Sequence, residues 1–528
     1  MFLRFGTKSG PAVPPGQEAV QDIHSQLHQQ QQDWANKLAQ DPTCFAALEQ
    51  EIHLRFGQLA DQLVASLLAG VASQPALDEA AKKKVTEADR PFRSPQQRSR
   101  RIRLLGGLIL FVSTAYYTVV NHTGKGRGRA GAGLYPELSA LGIHDGQTAA
   151  LVDQVGRQSA LLPSFEHAQR ELQAQGVTLP VKEVRRIATH LGAQVLSSRK
   201  RDLLDYRDGR MPAGQELAGK RVACCIDAGK SRLRRVTRKQ KGKGKTKTQR
   251  RRYKADWREV KLLIIYEIDA KGEKVGTGRP WIDGTFGGPD EAMELLAMHL
   301  HRLGAAQAEV VVFLADGAPW IWERVEWVVK RVGLRSEQWH FVLDFWHAAQ
   351  HIGLALGHVP ISDKERKRLY RKLRKWLKGG KAWEMTQELR RLGQTHGVLE
   401  AMAEDLGYLE KHEDHCHMDY ARFLHQGWPI GSGAVESAIR RVINLRIKGP
   451  GIIWEEENAE AMVVLRAAAL SGRWQELMGR TRQSFSRDRR MDAKWTSPDM
   501  RAELKSGATV KPPTPQVKGE KQLERCAA

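Results

Sequence analysis

Three acidic residues in this sequence stand where apolar or small residues end, and their carboxylates could support metal-dependent chemistry. Asp316 ends the run "VVVFLAD", Asp227 ends "VACCID", and Glu436 follows the flexible turn "GSG" in a segment with helical spacing, where Ser432 can cap the helix. A charge buried without a partner is costly, so a bound cation is a natural partner for such acids. Carboxylate oxygens are the ligands that Mg²⁺ prefers, and Mn²⁺ can substitute.

Three carboxylates held together suit one reaction in particular. In-line cleavage of a phosphodiester requires activation of an attacking oxygen and stabilisation of the leaving oxygen, which two metal ions about 3.5–4 Å apart can provide together. An acid at the end of a strand is often only a turn residue, and this alternative stays open for each residue taken alone. The shared setting of Asp227, Asp316 and Glu436 favours a joint metal site with two ions.

The elements that must position these acids begin near residue 221. Short β-rich segments such as "RVACCID" and "REVKLLIIYEID" are followed by alternating helix and strand patterns through "VVVFLAD" and "WHFVLD". Three strands, a helix, a strand, a helix and a further strand predict a mixed five-stranded sheet covered by helices, which is an α/β fold. Residues 348–426 have a helical pattern almost throughout.

Four segments carry a resemblance to a known family: "CIDAGK", "LADGAPWIW", "LDFWHAAQH" and "GWPIGSGAVESAIRRVINLRIKGPG". Over roughly residues 220–475 the chain resembles the DDE transposases of bacterial insertion sequences, in the Mutator-like branch. The resemblance implies a catalytic core of ribonuclease H-like fold, with an all-helical insertion at 348–426 between the last strand and the glutamate helix. It implies Asp227, Asp316 and Glu436 as the catalytic, metal-binding triad.

The resemblance also implies a supporting pair and a set of partners. Asp344 and His347 match a D-x-x-H motif that lies close to the metal site in the family, although a strand-end turn and a helix cap would explain them as well. The expected reaction is strand cleavage followed by strand transfer. The expected partners are double-stranded DNA, as terminal inverted repeats and target DNA, and a second copy of the chain, because pairing two ends requires at least a dimer.

The charge of the chain favours a polyanionic partner. The chain has 84 Lys and Arg against 60 Asp and Glu, a net charge of +24, and an isoelectric point near 9.9. The segment 232–252 carries 12 Lys or Arg in 21 positions and no acid, which predicts a basic arm that binds phosphates, a solvated loop being the alternative. The predicted DNA-binding residues are Arg185, Arg186, Lys241, Lys243, Lys245, Arg250, Arg251, Arg252, Arg440 and Arg441.

The region before residue 216 is predicted to be mainly helical. Residues 1–100 form a helical N-terminal region that ends in a basic polar stretch at 82–103, and 101–215 form a DNA-binding region. Within the latter, 164–192 predicts a helix, a turn at Gly176 and a second helix opened by Pro180, which is the spacing of a helix-turn-helix. Plain helical packing of these two helices is the alternative. Residues 216–347 and 427–480 form the core, and 481–528 a basic, partly disordered tail.

Other chemistry is disfavoured by spacing. His412, His415, Cys416 and His417 are residue types that bind zinc, but no second cluster completes a tetrahedral site, so a polar helix surface is predicted and no zinc. The glycines near 242 lack the order of a phosphate-binding P-loop, so no ATP is predicted. Trp376 and Trp383 could stack on an exposed base, although core packing is favoured.

The five cysteines form no CxxC pair, and Cys224 and Cys225 are predicted to lie in the core. The apolar segment 104–120 predicts buried strands rather than a membrane span, and the N-terminus lacks the pattern of a secretion signal. A cytoplasmic, nucleoid-associated protein is therefore expected. Two alternatives to a transposase remain: a non-catalytic DNA-binding protein derived from one, and a nuclease that cuts DNA without joining strands.

Overall fold

The computed structural model describes residues 2–4, 17–72, 74–88, 91–119, 133–236, 253–449 and 451–484. Most of the predicted basic arm lies outside these residues, as does the tail after residue 484. The predicted DNA-binding residues of the arm outside the described ranges are Lys241, Lys243, Lys245, Arg250, Arg251 and Arg252. The chain divides into two compact units, residues 1–195 with 475–493 and residues 196–474 with 494–528.

The first unit combines helices with a small sheet. Its helices are α1 (Gln17–Gln40), α2 (Phe45–Val71), α3 (Pro75–Glu87), α4 (Pro136–Ala140), α5 (Ala149–Leu161), α6 (Phe165–Ala174) and the start of α7 (Val181–Arg207). The sheet contains β1 (Phe2–Arg4), β2 (Gln96–Arg103) and β3 (Ile109–Tyr116), with β3 in the middle. The apolar segment 104–120 contributes one strand, β3, which is only partly buried, where the sequence predicts buried strands.

The polar stretch before that segment departs from the prediction. Gln96–Arg103 is not a linker but strand β2, antiparallel to β3 over its full length. Only Ile102 of this strand is buried, and its other side chains are exposed or half-buried. A strand with one buried apolar residue has no alternating hydrophobic pattern, so the sequence does not predict strand β2.

The helix, the turn at Gly176 and the second helix occur as predicted in α6 and α7, with φ of +86° at Gly176.

The second unit is built on a mixed sheet. Its strands are β4 (Arg221–Val236), β5 (Tyr253–Glu267), β6 (Trp281–Thr285), β7 (Val310–Ala315), β8 (Trp339–Leu343) and the two-residue β9 (Trp454–Glu455). The order is β6-β5-β4-β7-β8, with β9 beside the far end of β4. The first three pair antiparallel, while β7 is parallel to β4 and to β8. The predicted mixed sheet is present, with one more short strand than expected.

Helices cover both faces of this sheet. They are α8 (Pro289–Leu303), α9 (Pro319–Val332), α10 (Phe345–Gly357), α11 (Asp363–Lys378), α12 (Ala382–Thr395), α13 (Ala403–Asp414), α14 (Tyr420–His425), α15 (Gly433–Ile439) and α16 (Glu456–Leu470). The described chain ends with α17 (Trp474–Ser484), which belongs to the first unit from residue 475 on. Helices α8 and α9 pack on the face that carries Cys224, and α10 to α16 share a core with the face that carries Cys225. Both thiols are buried, as predicted.

Residues 348–426 contain helices and turns but no strand, in line with the helical pattern of the sequence. Helix α11 shows why this basic segment folds. Leu369, Leu373 and Leu377 recur every fourth residue and are buried, while its lysines and two of its four arginines are exposed. The described residues contain no helix that is long and apolar enough to cross a membrane.

Candidate active site

The two predicted aspartates lie at matching positions on neighbouring parallel strands. Cys225 of β4 pairs with Leu314 of β7, and Asp227 and Asp316 each stand two residues further along. Because side chains alternate between the faces of a sheet, both carboxylates share the face of Cys225 and Leu314. That face is the one covered by the glutamate helix.

Asp316 is held in a tight turn between β7 and α9. Its Oδ1 accepts a hydrogen bond of 3.0 Å from the backbone N–H of Ala318. Gly317 has φ of +80°, and a Cβ there would lie 2.5 Å from Oη of Tyr408 and 2.8 Å from Nε2 of His412. Both the backbone conformation and the lack of space require glycine after the aspartate.

Glu436 approaches β4 from α15. A Cβ on Gly229 of β4 would lie 3.5 Å from Cγ2 of Ile439 and 3.7 Å from Cδ1 of Ile443, so the helix packs closely over the strand just beyond Asp227. Glu436 stands one turn before Ile439 and is exposed at its edge. Ser432 is the N-cap residue, but its hydroxyl does not cap a backbone N–H as expected. It donates instead to Oε1 of Glu436, at 3.2 Å.

Asp344 ties three elements together from a fully buried position. Its Oδ1 accepts from the backbone N–H groups of Trp346 (2.6 Å) and His347 (3.1 Å), and its Oδ2 accepts from the N–H of Ser432 (2.5 Å). Burial alone would raise the pKa of Asp344, but the hydrogen bonds from His347 and Ser432 outweigh it and lower the pKa to about 2. Asp344 therefore caps α10 and also fixes the residue that contacts Glu436.

The pKa values show that the predicted acids influence one another. Burial, and then repulsion from Asp316 and Glu436, raise the pKa of Asp227 to about 6, although the N–H of Ala228 and the charge of His347 oppose the rise. Asp344, and then Asp316 and Asp227, raise the pKa of His347. The structure thus brings the three acids and His347 into one electrostatic neighbourhood with an excess of negative charge.

A divalent cation would relieve that excess. Three carboxylates are a chemically suitable donor set for Mg²⁺ or Mn²⁺. Within the described ranges, however, no group of three or more His, Cys, Asp or Glu side chains is close enough together to hold a metal ion. The donor types and the raised pKa of Asp227 fit a cation, and the Mg²⁺ site itself stays a prediction.

The helical insertion contacts the turn after Asp316 through residues that were not predicted from the sequence to lie near the site. Tyr408 of α13 donates a hydrogen bond of 2.7 Å from Oη to the carbonyl oxygen of Asp316. Its ring stacks on His351 at 3.8 Å, and Nδ1 of His351 lies 2.7 Å from Oδ1 of Asp405. This chain of contacts connects α10 and α13 to the backbone of a predicted catalytic residue.

The prediction of a polar helix surface at 411–420 is wrong for His412. Its side chain is only 2% exposed, and burial lowers its pKa to about 4. Nδ1 of His412 lies 3.1 Å from Nδ1 of His417, whose ring stacks on Trp322. Tyr408 and His412 are four residues apart, so they lie on one face of α13, and both side chains approach the turn at Gly317. This spacing is the signal in the sequence that could have predicted the burial of His412.

The predicted DNA-binding arginines differ in their surroundings. Arg440 and Arg441 are exposed and belong to a π-helical turn (Arg440–Asn444) that begins four residues after Glu436. In the first unit, Arg185 is exposed, whereas Arg186 makes two hydrogen bonds to Glu183 and lies 3.7 Å from Asp145. Arg186 is therefore already engaged by carboxylates.

The tryptophans of the insertion also differ from each other. Trp376 is partly buried against the core of the second unit, as core packing predicts. Trp383 is 57% exposed, so core packing is wrong for this residue.

In comparisons with known proteins, no family model, no curated protein and no solved structure matches the chain.

Proposed function

We propose that this chain is a DDE-type DNA transposase with a ribonuclease H-like catalytic core over residues 220–475. The observation that carries the proposal is the matching position of Asp227 and Asp316 on one face of two neighbouring parallel strands, with the helix of Glu436 packed over that face. The sheet order supports it as well. The first strand of the core, β4, is central: on one side β5 pairs with it antiparallel and β6 pairs antiparallel with β5, and on the other side β7 and β8 run parallel to it.

Asp227, Asp316 and Glu436 would hold Mg²⁺ or Mn²⁺, and the bound ions would activate the attacking oxygen and neutralise charge on the leaving oxygen. The chain supplies the positioning. Asp344 fixes Ser432 and, through it, the glutamate, while Tyr408 fixes the aspartate turn. The exposed Arg440 and Arg441 would contact phosphates beside the glutamate.

In the proposed reaction, water attacks a phosphodiester at each end of the mobile element and leaves a free 3′-OH. That hydroxyl then attacks a phosphodiester of the target, a new P–O bond forms, and the displaced 3′ oxygen of the target leaves with a proton. Bond count is conserved in the second step, so strand transfer needs no external energy source. Two ends must be paired, which favours a dimer or larger assembly.

The test is cleavage of labelled DNA that carries the ends of the element, with and without Mg²⁺. Wild-type protein is expected to nick the ends and to yield joined products, and Asp227→Ala is expected to reduce nicking by about three orders of magnitude. Asp363→Ala, which removes a carboxylate 85% exposed at the start of α11, serves as the matched control and should cleave normally.

Three other outcomes would each redirect the proposal. Cleaved but never joined DNA would identify a nuclease. Binding of the ends without any Mg²⁺-dependent cleavage by wild type would identify a DNA-binding protein without catalytic activity. Cleavage that survives Asp227→Ala would remove the triad from the mechanism.

A further inference from the structure

The hairpin of β4 and β5 continues well beyond the body of the sheet. From Lys230 to Val236 and from Tyr253 to Glu259 the two strands stay paired, whereas the buried part of β5 begins only at Val260. We call residues 230–236 and 253–259 the ribbon. It starts three residues after Asp227 on the same strand, so at about 3.3 Å per residue it reaches roughly 30 Å from that carboxylate.

One face of the ribbon is partly covered by the protein itself. Leu233 on this face is 2% exposed and belongs to the core. Two of the three cations of this face have acidic partners: Arg235 lies 4.0 Å from Asp256, and Arg258 lies 3.6 Å from Glu456, while the third, Lys254, stands opposite Arg235.

The opposite face is open and combines aromatic rings with positive charge. Arg232 pairs with Trp257 across the strands, and Arg234 pairs with Ala255, so these residues share a face with Lys230 and Tyr253. Trp257 is 57% exposed and Tyr253 is 48% exposed. The guanidinium of Arg234 lies 4.2 Å above the ring of Tyr253. The one acid on this face is Glu259, opposite Lys230.

Exposed aromatic rings among cations are the combination that binds unpaired nucleic acid. Bases stack on the rings whatever their sequence, and the cations attract the phosphates between them. Paired bases inside a duplex are already stacked on each other and cannot offer a face to Trp257. The charge of the open face also opposes a basic partner and disfavours an uncharged one.

We propose that the open face of the ribbon binds unpaired bases of DNA, with Trp257 as the principal stacking residue. This inference rests on the proposed function for the identity of the nucleic acid. The open face carries the side chains that alternate with that of Asp227 along β4, so no contact with the cleavage position is assigned to it. The ribbon would thus bind an unpaired single-stranded segment beside the duplex and not the duplex itself.

The experiment measures binding in EDTA, where no cleavage can occur. Two labelled probes are compared by fluorescence anisotropy: a short duplex with an unpaired single-stranded flank and the same duplex fully paired. Wild type should bind the flanked probe more tightly. Trp257→Ala should weaken binding of the flanked probe about tenfold and leave the duplex nearly unaffected, and Trp257→Phe should retain most of the difference.

A second readout reports stacking itself. With 2-aminopurine in the flank, wild type and Phe45→Ala should quench its fluorescence, and Trp257→Ala should not. Phe45 is 58% exposed, close to the 57% of Trp257, but lies on α2 of the first unit, so it is the matched control. Unchanged quenching in Trp257→Ala, loss of quenching in Phe45→Ala, or no preference of wild type for the flanked probe would each overturn the inference.

The outcome is separable from that of the proposed function. If the probe preference and the quenching depend on Trp257 but the protein never cleaves DNA, the ribbon binds unpaired bases and the proposed transposase activity is wrong. If the protein cleaves and joins DNA but its binding does not depend on Trp257, the proposed activity stands and the inference about the ribbon is wrong.

Discussion

Two clusters of acidic side chains lie on the sheet of the second unit: the candidate active site and a buried network around Asp283 of β6. In the network, Oδ1 of Asp283 lies 3.1 Å from Nη1 of Arg199, and Oδ2 lies 2.8 Å from Nε2 of His299. Burial would raise the pKa of Asp283, but Arg199 and His299 outweigh it and hold the pKa well below the usual range. Glu460 also pairs with Arg199.

The active-site cluster lacks such compensation. Its one nearby imidazole, His347, leaves the pKa of Asp227 at about 6. In the network, burial and repulsion from Glu460 likewise raise the pKa of Glu291 to about 7, so a raised pKa alone does not distinguish the two clusters. They differ because the Arg199 guanidinium lies beside Asp283 and Glu460, whereas the opposing charge that acts on Asp227 is that of His347. Acids without a neighbouring guanidinium or ammonium are a candidate binding site for a cation.

The largest effect on stability is expected from removing the cation of the network. Arg199→Met should lower the free energy of unfolding by about 3–5 kcal/mol, because Asp283 and Glu460 are then left buried without their partner. Urea denaturation measures this. Arg210→Met, which removes an exposed arginine paired with Asp205 and Asp208, should leave stability nearly unchanged. Equal effects of the two substitutions would mean that the network is not a structural element.

The next largest effect is expected at Asp344, the compensated acid of the active site. Asp344→Ala removes the acceptor of three backbone N–H groups and should lower the free energy of unfolding by about 2–4 kcal/mol. Asp419→Ala, which removes a helix cap with one longer hydrogen bond of 3.4 Å, should cost under about 1 kcal/mol. If chemical denaturation gives the two variants the same stability, Asp344 does not hold the loop before α15.

Removing the charge of Asp227, unlike removing that of Asp344, should raise the free energy of unfolding at neutral pH. Its pKa in the folded protein, about 6, exceeds the ordinary 3.8, so the folded state loses stability as pH rises through 6. Asp227→Asn should therefore stabilise the metal-free protein by about 3 kcal/mol at pH values above 6 and have no effect near pH 3. Thermal unfolding across this range in EDTA tests the sign. A variant that is less stable than wild type at neutral pH would show that the charge is compensated after all.

The smallest effect on stability is expected where Tyr408 of the helical insertion contacts the turn after Asp316. Tyr408→Phe removes the hydrogen bond to the carbonyl oxygen of Asp316 but keeps the stacked ring, so it should cost about 1 kcal/mol of stability. DNA cleavage should fall about tenfold while DNA binding stays unchanged. Tyr370→Phe is the control, since Tyr370 lies on α11 and is packed against the same core. Equal rates for the two variants would remove Tyr408 from the positioning of Asp316.

Much of the core could be predicted because its signals are local. The runs before Asp227 and Asp316 are continuously apolar, as buried parallel strands require, and each ends in an acid followed by small residues. The order of strands and helices then brought both acids to the same edge. The position of Glu436 followed from a glycine-rich turn and a helical pattern that indeed occur together in α15.

The contacts that differ from prediction depend on partners far away in the chain. Arg199 belongs to a charged segment with the composition of a surface helix, and only tertiary packing places it beside Asp283 and Glu460. His412 has polar neighbours in sequence, yet the turn at Gly317 buries it. Strand β2 pairs with an apolar neighbour that supplies the hydrophobic contacts its own residues lack.

The central claim is that the uncompensated acids form a site for a divalent cation, and Mn²⁺ binding measured by electron paramagnetic resonance tests it most directly. Wild type is expected to remove free Mn²⁺ from solution and to release it to Mg²⁺. Asp227→Asn, Asp316→Asn and Glu436→Gln should each weaken this binding strongly, and Asp363→Asn should not. Equal Mn²⁺ binding by wild type and all three variants would contradict the claim.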